Sequence, residues 1–236
     1  IEQNIILPFN DEEEKLYVAN LAEVNKELQE LYDLEGSDKM QILKLLTRLR
    51  QLCLEPRLVY DNIDQPSSKL KACMELIKTM QENKQKVLLF SSFTSVLDLI
   101  AEECQKAGIT YYMLTGSTNK EDRRELVSRF QKDDTTVFLI SLKAGGTGLN
   151  LTSAEAVIHF DPWWNVSAQN QATDRAYRIG QKNNVQVFNL VMKDSVEEKI
   201  IELQKRKKEL ADMFVENNSG GLSQMSKEDI LSLFTM

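Results

Sequence analysis

The chain has 236 residues, 42% of them hydrophobic, and carries 29 basic against 36 acidic side chains, a net charge of −7. This is enough for one packed domain with an accessory region, and no apolar run approaches the ~20 residues that cross a bilayer. With no secretion signal at the N-terminus either, the sequence predicts a soluble intracellular protein, and its acidic balance means that any nucleic acid must be met locally.

Two helices are predicted in the first part of the chain. Apolar residues recur in steps of three and four from Tyr17 to Leu31, after an acidic first turn that suits the helix dipole, and Gly36 ends this helix. A second apolar stripe runs from Ile42 to Leu52 and stops before Pro56, and residues 61–68 (DNIDQPSS) have the composition of a linker.

From residue 67 onward, short apolar runs alternate with helical patterns. The predicted helices are KLKACMELIKTM, SVLDLIAEECQKAG, NKEDRRELVSRF and VSAQNQATDRAY, and the predicted strands are VLLF, YYML, VFLIS, AVIHF and VQVFNLV. This alternation predicts an α/β fold with a parallel sheet covered by helices on both faces, and places function in the loops after the strands. A long helix (SVEEKIIELQKRKKELADMF) and a short capped one (SKEDILSLF) are predicted to follow.

A glycine-rich turn, AGGTGLN, follows the predicted strand VFLIS. Its glycines let backbone N–H groups approach a phosphate of a nucleotide or of a nucleic acid, although such a turn also serves simply to ease a strand into a loop. The Gly-Lys-Ser/Thr loop that a complete nucleotide hydrolase of this fold needs does not occur in the sequence. The chain is therefore expected to meet a phosphate without being able to hold one alone.

Gln171, Arg175 and Arg178 stand at i, i+4 and i+7 of a predicted helix, so they share one face and can reach one target. An arginine delivered to a transferring phosphoryl group stabilises its charge and accelerates the reaction by about 10³ to 10⁵. The alternative is a surface salt bridge of either arginine with Asp174 or Asp161.

These residues lie in segments that resemble a known family. DRAYRIGQ, with QNQAT and SLKAGGTGLNLTSAEAVIHFDPWWN before it, closely resembles motifs five and six of the Snf-type DNA translocases, the chromatin-remodelling branch of helicase superfamily two. KVLLFSSFTSVLD resembles motif four, YYMLTGSTNKEDRRELVSRFQ the segment after it, LRQLCLEPRLV the helical protrusion and SVEEKIIELQKRKKEL the bracing helix. The resemblance covers essentially the whole chain, which does not include the family's first motor lobe.

The resemblance implies a fold and three regions. These are a linker and helical protrusion over 1–66, a RecA-like C-terminal helicase lobe over 67–193, and a C-terminal helical brace over 194–236. Four residues depart from the family pattern: Tyr177 replaces a common histidine, Val166 a common proline, and Leu54 with Glu55 a polar pair.

The resemblance also implies roles for individual residues. Arg175 and Arg178 would be paired arginine fingers with Gln171 beside them, and Gly145, Gly146 and Gly148 would form the loop that couples the nucleotide to the DNA track. Contacts to DNA would come from Ser92, Phe93, Thr115, Gly116, Lys143 and Trp164. Arg123, which opens a helix after a strand, lies close to the expected track and is a further candidate for a phosphate contact.

The function implied is that of the second motor lobe of an ATP-dependent double-stranded DNA translocase. ATP with Mg²⁺ would be bound mainly by the N-terminal RecA-like lobe of the same protein, so the isolated chain is expected to be inactive. We expect Ile1 to follow a longer upstream sequence, and the intact protein to be a monomer in the bacterial cytoplasm, or in the nucleus if the source is eukaryotic. Two alternatives remain: a non-catalytic RecA-like docking module, and a lobe of an RNA-directed helicase.

Other polar and reactive residues have simpler interpretations. Cys53, Cys73 and Cys104 lie in helical patterns without metal-like spacing, so we expect buried, reduced thiols. His159 lies in a strand pattern and is expected to be structural. The basic run 205–208 is either a solvated helix face or a contact to nucleic acid.

Overall fold

Five predicted strands and one unpredicted strand form a single parallel sheet. The computed structural model describes residues 2–33, 39–145, 151–163, 169–171, 185–213 and 233–234. Within them the strands are β1 (Glu2–Leu7), β2 (Val87–Ser91), β3 (Tyr111–Leu114), β4 (Val137–Ser141), β5 (Ala156–His159) and β6 (Gln186–Met192). Their order in the sheet is β1-β6-β5-β2-β4-β3, and each neighbouring pair is parallel.

The helices alternate with these strands as the sequence predicts. They are α1 (Asp11–Asp33), α2 (Lys39–Leu54), α3 (Ser68–Glu82), α4 (Thr94–Lys106), α5 (Lys120–Lys132), α6 (Leu142–Gly145) and α7 (Val196–Met213), with a 3₁₀ turn at Pro56–Leu58. Residues 169–171 are helical too. The start of α3 is set by Ser67, whose Oγ accepts a hydrogen bond from the N–H of Leu70 at 3.0 Å.

The sheet is covered on both faces. Alternate residues of β2 and β4 point to opposite sides, because successive side chains of a strand alternate. Leu89 and Leu139 pack with α3 and α4 on one face, whereas Leu88 and Phe138 pack with α5 on the other. Every residue of β2, β4 and β5 is buried, as expected for the centre of a parallel sheet. The predicted α/β architecture of the RecA-like lobe is therefore confirmed.

Strand β1 was not predicted from the sequence. It pairs with β6 from Glu2 opposite Val187 to Leu7 opposite Met192. Its side chains are exposed or half-buried, since it forms the edge of the sheet, and the segment EQNIIL has too little apolar periodicity to mark a strand by itself. The pairing with β6 places the start of the predicted linker region in the sheet.

The predicted protrusion and brace share a second core. Apolar residues of α1 and α2 pack with Val196 and Ile200 of α7 and with the C-terminal pair Leu233 and Phe234. Tyr17 of α1 reinforces this contact, because its hydroxyl accepts a hydrogen bond from the N–H of Val196 at 2.8 Å. Of the predicted short helix near the C-terminus, only Leu233 and Phe234 are among the described residues, where they form a buried turn.

Glu55, one of the departures from the family pattern, is buried at the end of α2. Its carboxylate accepts hydrogen bonds from Nε and Nη2 of Arg57, at 3.0 and 3.1 Å, and from the N–H of Ser67 at 3.0 Å. A buried carboxylate of this kind is stable because each oxygen has a partner. Glu55 thus joins α2 to the start of α3.

A buried ion pair ties α3 to α7. Nζ of Lys69 lies 2.7 Å from each carboxylate oxygen of Glu197, and the two residues are 0% and 1% exposed. Burial raises the pKa of Glu197, and the neighbouring Lys69 offsets part of that rise. The N–H of Met192, at the end of β6, also donates to Glu197 at 2.8 Å. The lobe and its bracing helix are therefore joined by charge as well as by apolar packing.

His159 is buried in β5 and stacks on Phe90 of β2, with ring centres 5.6 Å apart. Burial lowers the pKa of His159 to about 4, against 6.5 for an exposed histidine. The imidazole is therefore neutral in the folded protein at pH 7, in agreement with the structural role expected for it.

The three cysteines are buried in the helices, as expected.

The burial of His159 predicts a loss of stability in mild acid. Between pH 6.5 and 4, His159 is protonated in the unfolded chain but stays neutral in the folded chain. The free energy of unfolding therefore falls as the pH falls. At ~1.4 kcal/mol per pH unit, this residue costs about 2 kcal/mol between pH 7 and 5. Urea unfolding at both pH values should show a smaller loss for His159→Gln than for the wild type. Equal losses in the two proteins would contradict the assignment.

Candidate nucleic-acid and nucleotide interface

An open cleft of about 610 Å³ lies at the carboxyl ends of three neighbouring strands, β2, β4 and β3. Loops that follow parallel strands meet at one edge of a sheet, which is where ligands of such folds bind. Four of the residues expected to contact DNA line this cleft together. The lining residues are Ser92, Thr94, Asp98, Met113, Thr115, Gly116, Ser117, Ser141 and Lys143.

The loop after β3 forms a tight hydroxyl-rich turn. The N–H of Thr115 donates to Oγ1 of Thr118 at 3.0 Å, the N–H of Thr118 donates back to the Thr115 carbonyl at 3.2 Å, and the hydroxyls of Thr115 and Ser117 lie 2.8 Å apart. A Cβ added to Gly116 would meet no atom within 4 Å, so the turn faces open space there. Hydroxyl groups of this kind are common phosphate ligands.

Lys143 is the basic residue among those lining the cleft, and Asp98 is the acidic one. Lys143 is exposed on α6, directly after β4. The first turn of α6 is fixed from behind, because the N–H of Ala144 donates to Oγ of Ser141 at 3.3 Å. The cleft therefore combines the charge of Lys143 with several hydroxyl groups. This combination suits a sugar-phosphate backbone.

Arg123, a further candidate for a phosphate contact, takes a different place. It is half-buried on α5 and donates from Nη1 to the carbonyl of Ala144 at 3.1 Å. It is not one of the residues that line the cleft. Its guanidinium instead holds the beginning of the glycine-rich turn against α5.

The loop after β2 is held by a charged residue that sequence reasoning missed. Arg50 of α2 donates from Nη2 to Oδ2 of Asp161 at 2.8 Å and to Oγ of Ser92 at 3.0 Å. Arg50 is 6% exposed and Asp161 is 1% exposed. The sequence contains a signal for it, since Arg50 stands in register with buried Leu46 and Leu49 on the apolar stripe of α2. Asp161 is therefore part of a buried network.

Two expected aromatic contacts can be located in part. Phe93 is half-buried against the core formed with α3 and α4, and is not among the residues that line the cleft. Trp163, the neighbour of Trp164, is half-buried against the opposite core. Trp164 lies outside the described residues.

Hydrogen bonds hold Gln169, which lies two residues before Gln171 in the helix predicted to carry it. Gln169 is buried, accepts a hydrogen bond from the N–H of Trp163 at 3.2 Å, and donates to Oδ1 of Asn189 in β6 at 3.1 Å. Asn189 in turn donates to Oε1 of Glu2 at 2.9 Å. Gln171, two residues further on, is exposed.

Known proteins share this fold. Residues 68–180 match the model of the helicase conserved C-terminal domain. The C-terminal domain of the Sulfolobus solfataricus SWI2/SNF2 ATPase superposes on 99% of this chain and 97% of its own, with a TM-score of 0.77 and 26% identity. The chain is a SWI2/SNF2 helicase C-terminal lobe. The ATPase core of the same Sulfolobus protein, solved in complex with double-stranded DNA, superposes with a TM-score of 0.78 and 30% identity over 99% of this chain and 49% of that one.

Relatives of this SWI2/SNF2 lobe are much longer proteins. An ATP-dependent helicase of Mycoplasma pneumoniae is 36% identical over 99% of the chain, which corresponds to 22% of the relative. The chain thus spans about a fifth to a quarter of the length of the curated relatives it matches.

Of the remaining candidate residues of the SWI2/SNF2 lobe, Gly145 is described by the structure and the others can be placed only by sequence. Gly145 ends α6, whereas Gly146, Gly148, Arg175 and Arg178 lie outside the described residues. In the part of the chain that the structure describes, no group of three His, Cys, Asp or Glu side chains could hold a metal ion, and no helix is long and apolar enough to cross a membrane.

Proposed function

We propose that this lobe is the second half of an ATP-dependent motor that moves along double-stranded DNA. The observation that carries the proposal is the cleft, because Ser92, Thr115, Gly116 and Lys143 reach it from three separate loops. A SWI2/SNF2 relative of the same fold has been solved with double-stranded DNA, which supports DNA as the partner.

The cleft grips one strand of DNA through its phosphates. Its donors are a lysine and hydroxyl groups, none of which distinguishes one base from another. The grip is therefore tolerant of sequence and weakens as salt increases, because each phosphate contact by a cation releases a counterion. Such a grip suits a motor that must bind any sequence it meets.

Hydrolysis requires the first lobe of the intact protein. That lobe holds ATP with Mg²⁺, since this chain has no Gly-Lys-Ser/Thr loop of its own. Closure of the two lobes brings Arg175 and Arg178 to the terminal phosphates, with Gln171 beside them. The glycine turn with Gly145, Gly146 and Gly148 lies between Lys143 in the cleft and these arginines in sequence, so it couples hydrolysis to the grip. The isolated lobe is inactive.

A lysine substitution tests the grip. In the intact protein, Lys143→Ala should weaken binding to double-stranded DNA and reduce the slope of log affinity against log salt by about 1, because one phosphate contact is lost. Binding is measured by fluorescence anisotropy over a range of salt concentrations. The effect should be the same for unrelated DNA sequences.

The matched control is Lys106→Ala. Lys106 is an exposed lysine at the last turn of α4, where it pairs with Glu103 at 2.8 Å and does not line the cleft. It should leave both affinity and salt slope unchanged. If Lys143→Ala behaves like this control, the cleft is not the strand-binding surface. Stimulation of ATP hydrolysis by single-stranded RNA in place of duplex DNA would point instead to an RNA-directed helicase.

A further inference from the structure

We infer that Arg50 is a positioning residue, through which the helical protrusion fixes the loop after β2 at the edge of the DNA cleft. The inference rests on the proposed function. It assigns to α2 a part in DNA binding without any contact between α2 and DNA.

Arg50 joins three segments that are far apart in sequence. From α2, its Nη2 donates to Oδ2 of Asp161 at 2.8 Å, to Oγ of Ser92 at 3.0 Å and to the carbonyl of Pro162 at 3.4 Å. Asp161 also receives the hydroxyl of Ser91 at 2.7 Å and the N–H of Ser92 at 3.0 Å. The loops after β2 and β5 are therefore held together by one guanidinium-carboxylate pair.

Two aromatic rings enclose the same guanidinium. Its central carbon lies 5.0 Å from the ring centre of Phe93 and 5.9 Å from that of Trp163. Both distances are within the range of cation–π attraction, which is stronger at a desolvated site than at an exposed one. A lysine at position 50 would keep the charge but could not reproduce both the planar stacking and the several hydrogen bonds.

The network decides what Ser92 can do. Its hydroxyl donates to Oδ2 of Asp161 and accepts from Arg50, and its N–H donates to Oδ1 of Asp161. The donors of Ser92 therefore face Asp161, so Ser92 shapes the wall of the cleft while Thr115, Ser117 and Lys143 offer their groups to a phosphate.

Arg50 itself is not placed to bind a phosphate. It is 6% exposed, its charge is balanced by Asp161, and it does not line the cleft. Its effect on DNA must pass through the loop it holds. Substitution of Arg50 should therefore lower the affinity for DNA without removing a phosphate contact.

The test uses the intact protein and its DNA-stimulated ATP hydrolysis. For Arg50→Met, the DNA concentration that gives half-maximal stimulation should rise about tenfold, the size of one charge-assisted hydrogen bond. The rate at saturating DNA should change less than about twofold, and the salt slope of DNA binding should stay that of the wild type, because no phosphate contact is removed. For Arg50→Lys, the DNA concentration that gives half-maximal stimulation should lie between those of the wild type and Arg50→Met.

A second variant guards against simple misfolding. Arg50→Met leaves Asp161 buried without its cation, so Ser92→Ala, which removes the hydroxyl at the centre of the network and leaves the ion pair, is measured beside it. It should raise the half-maximal DNA concentration about threefold, with an unchanged salt slope. The two substitutions together should cost less than the product of the single effects, since they act on one network.

The outcomes separate the inference from the function on which it rests. If both variants keep the wild-type DNA concentration while Lys143→Ala weakens binding, the positioning role is wrong and the proposed function stands. A salt slope that falls by about 1 in Arg50→Met would make Arg50 a direct phosphate ligand and would also overturn the inference. If the wild type is not stimulated by DNA at all, the proposed function fails, and the inference with it.

Discussion

Replacing Arg175 or Arg178 by alanine in the intact protein is expected to lower DNA-stimulated ATP hydrolysis at least about a hundredfold. Both arginines share one predicted helical face with Gln171, so under the proposed function both would reach the same phosphoryl group when the lobes close. Charge develops on that group in the transition state, and a guanidinium supplied from a second lobe stabilises it.

The measurement is the rate of phosphate release at saturating ATP and DNA, with DNA affinity measured in parallel. Affinity should stay near that of the wild type, because neither arginine is assigned to the DNA cleft. Arg129→Ala is the matched control, since Arg129 is an exposed arginine of α5 that pairs with Glu125 one helical turn away. Wild-type turnover in Arg175→Ala and Arg178→Ala would remove the arginine fingers from the mechanism. Arg175→Lys should remain strongly impaired, because lysine lacks the planar fork.

Removing Lys69 should produce the largest change in stability. Lys69→Met leaves the Glu197 carboxylate buried without its cation, and breaking a buried pair in this way costs about 3–5 kcal/mol. The free energy of unfolding is measured by urea denaturation at pH 7, followed by the signal of the tryptophans. Because Lys69 lies at the start of α3 and Glu197 at the start of α7, the loss should appear as weaker association of the brace with the lobe.

The exposed pair of Lys106 and Glu103 provides the comparison. Lys106→Ala should change stability by less than about 0.5 kcal/mol, because water screens a surface pair. The double variant Lys69→Met with Glu197→Leu should lose less than Lys69→Met alone, since no charge is then left buried. If Lys69→Met lowers the free energy of unfolding by less than about 1 kcal/mol, the ion pair of Lys69 and Glu197 does not stabilise the fold as proposed.

The central sheet could be predicted from the sequence because its signals are local. The runs VLLF, VFLIS and AVIHF are apolar except for Ser141 and His159, as is typical of strands buried on both faces, and each has the short length of a strand. The cleft followed from the same logic, since loops after parallel strands converge. Edge strand β1 could not be predicted, because its stability comes from backbone pairing with residues 187–192, which no local pattern records.

The charged core contacts were missed for a related reason. Arg50 and Lys69 lie in helices that also carry exposed charges, and the identity of a buried partner over a hundred residues away cannot be deduced from spacing. The register of Arg50 with the apolar stripe of α2 shows that it points inward, but not that Asp161 receives it. Long-range polar pairs therefore separate what a pattern can predict from what only the folded chain reveals.

The route of the chain between β1 and α3 has a mechanical consequence. It leaves the sheet at Leu7, passes through α1 and α2, and returns at Ser68, where the N–H of Ser68 donates to Oε1 of Glu13 in the first turn of α1 at 2.7 Å. The outgoing and returning ends are thus latched to each other at the root of the excursion. Because this hydrogen bond closes the excursion at its base, α1 and α2 should have less freedom to move relative to the sheet than helices attached by open linkers.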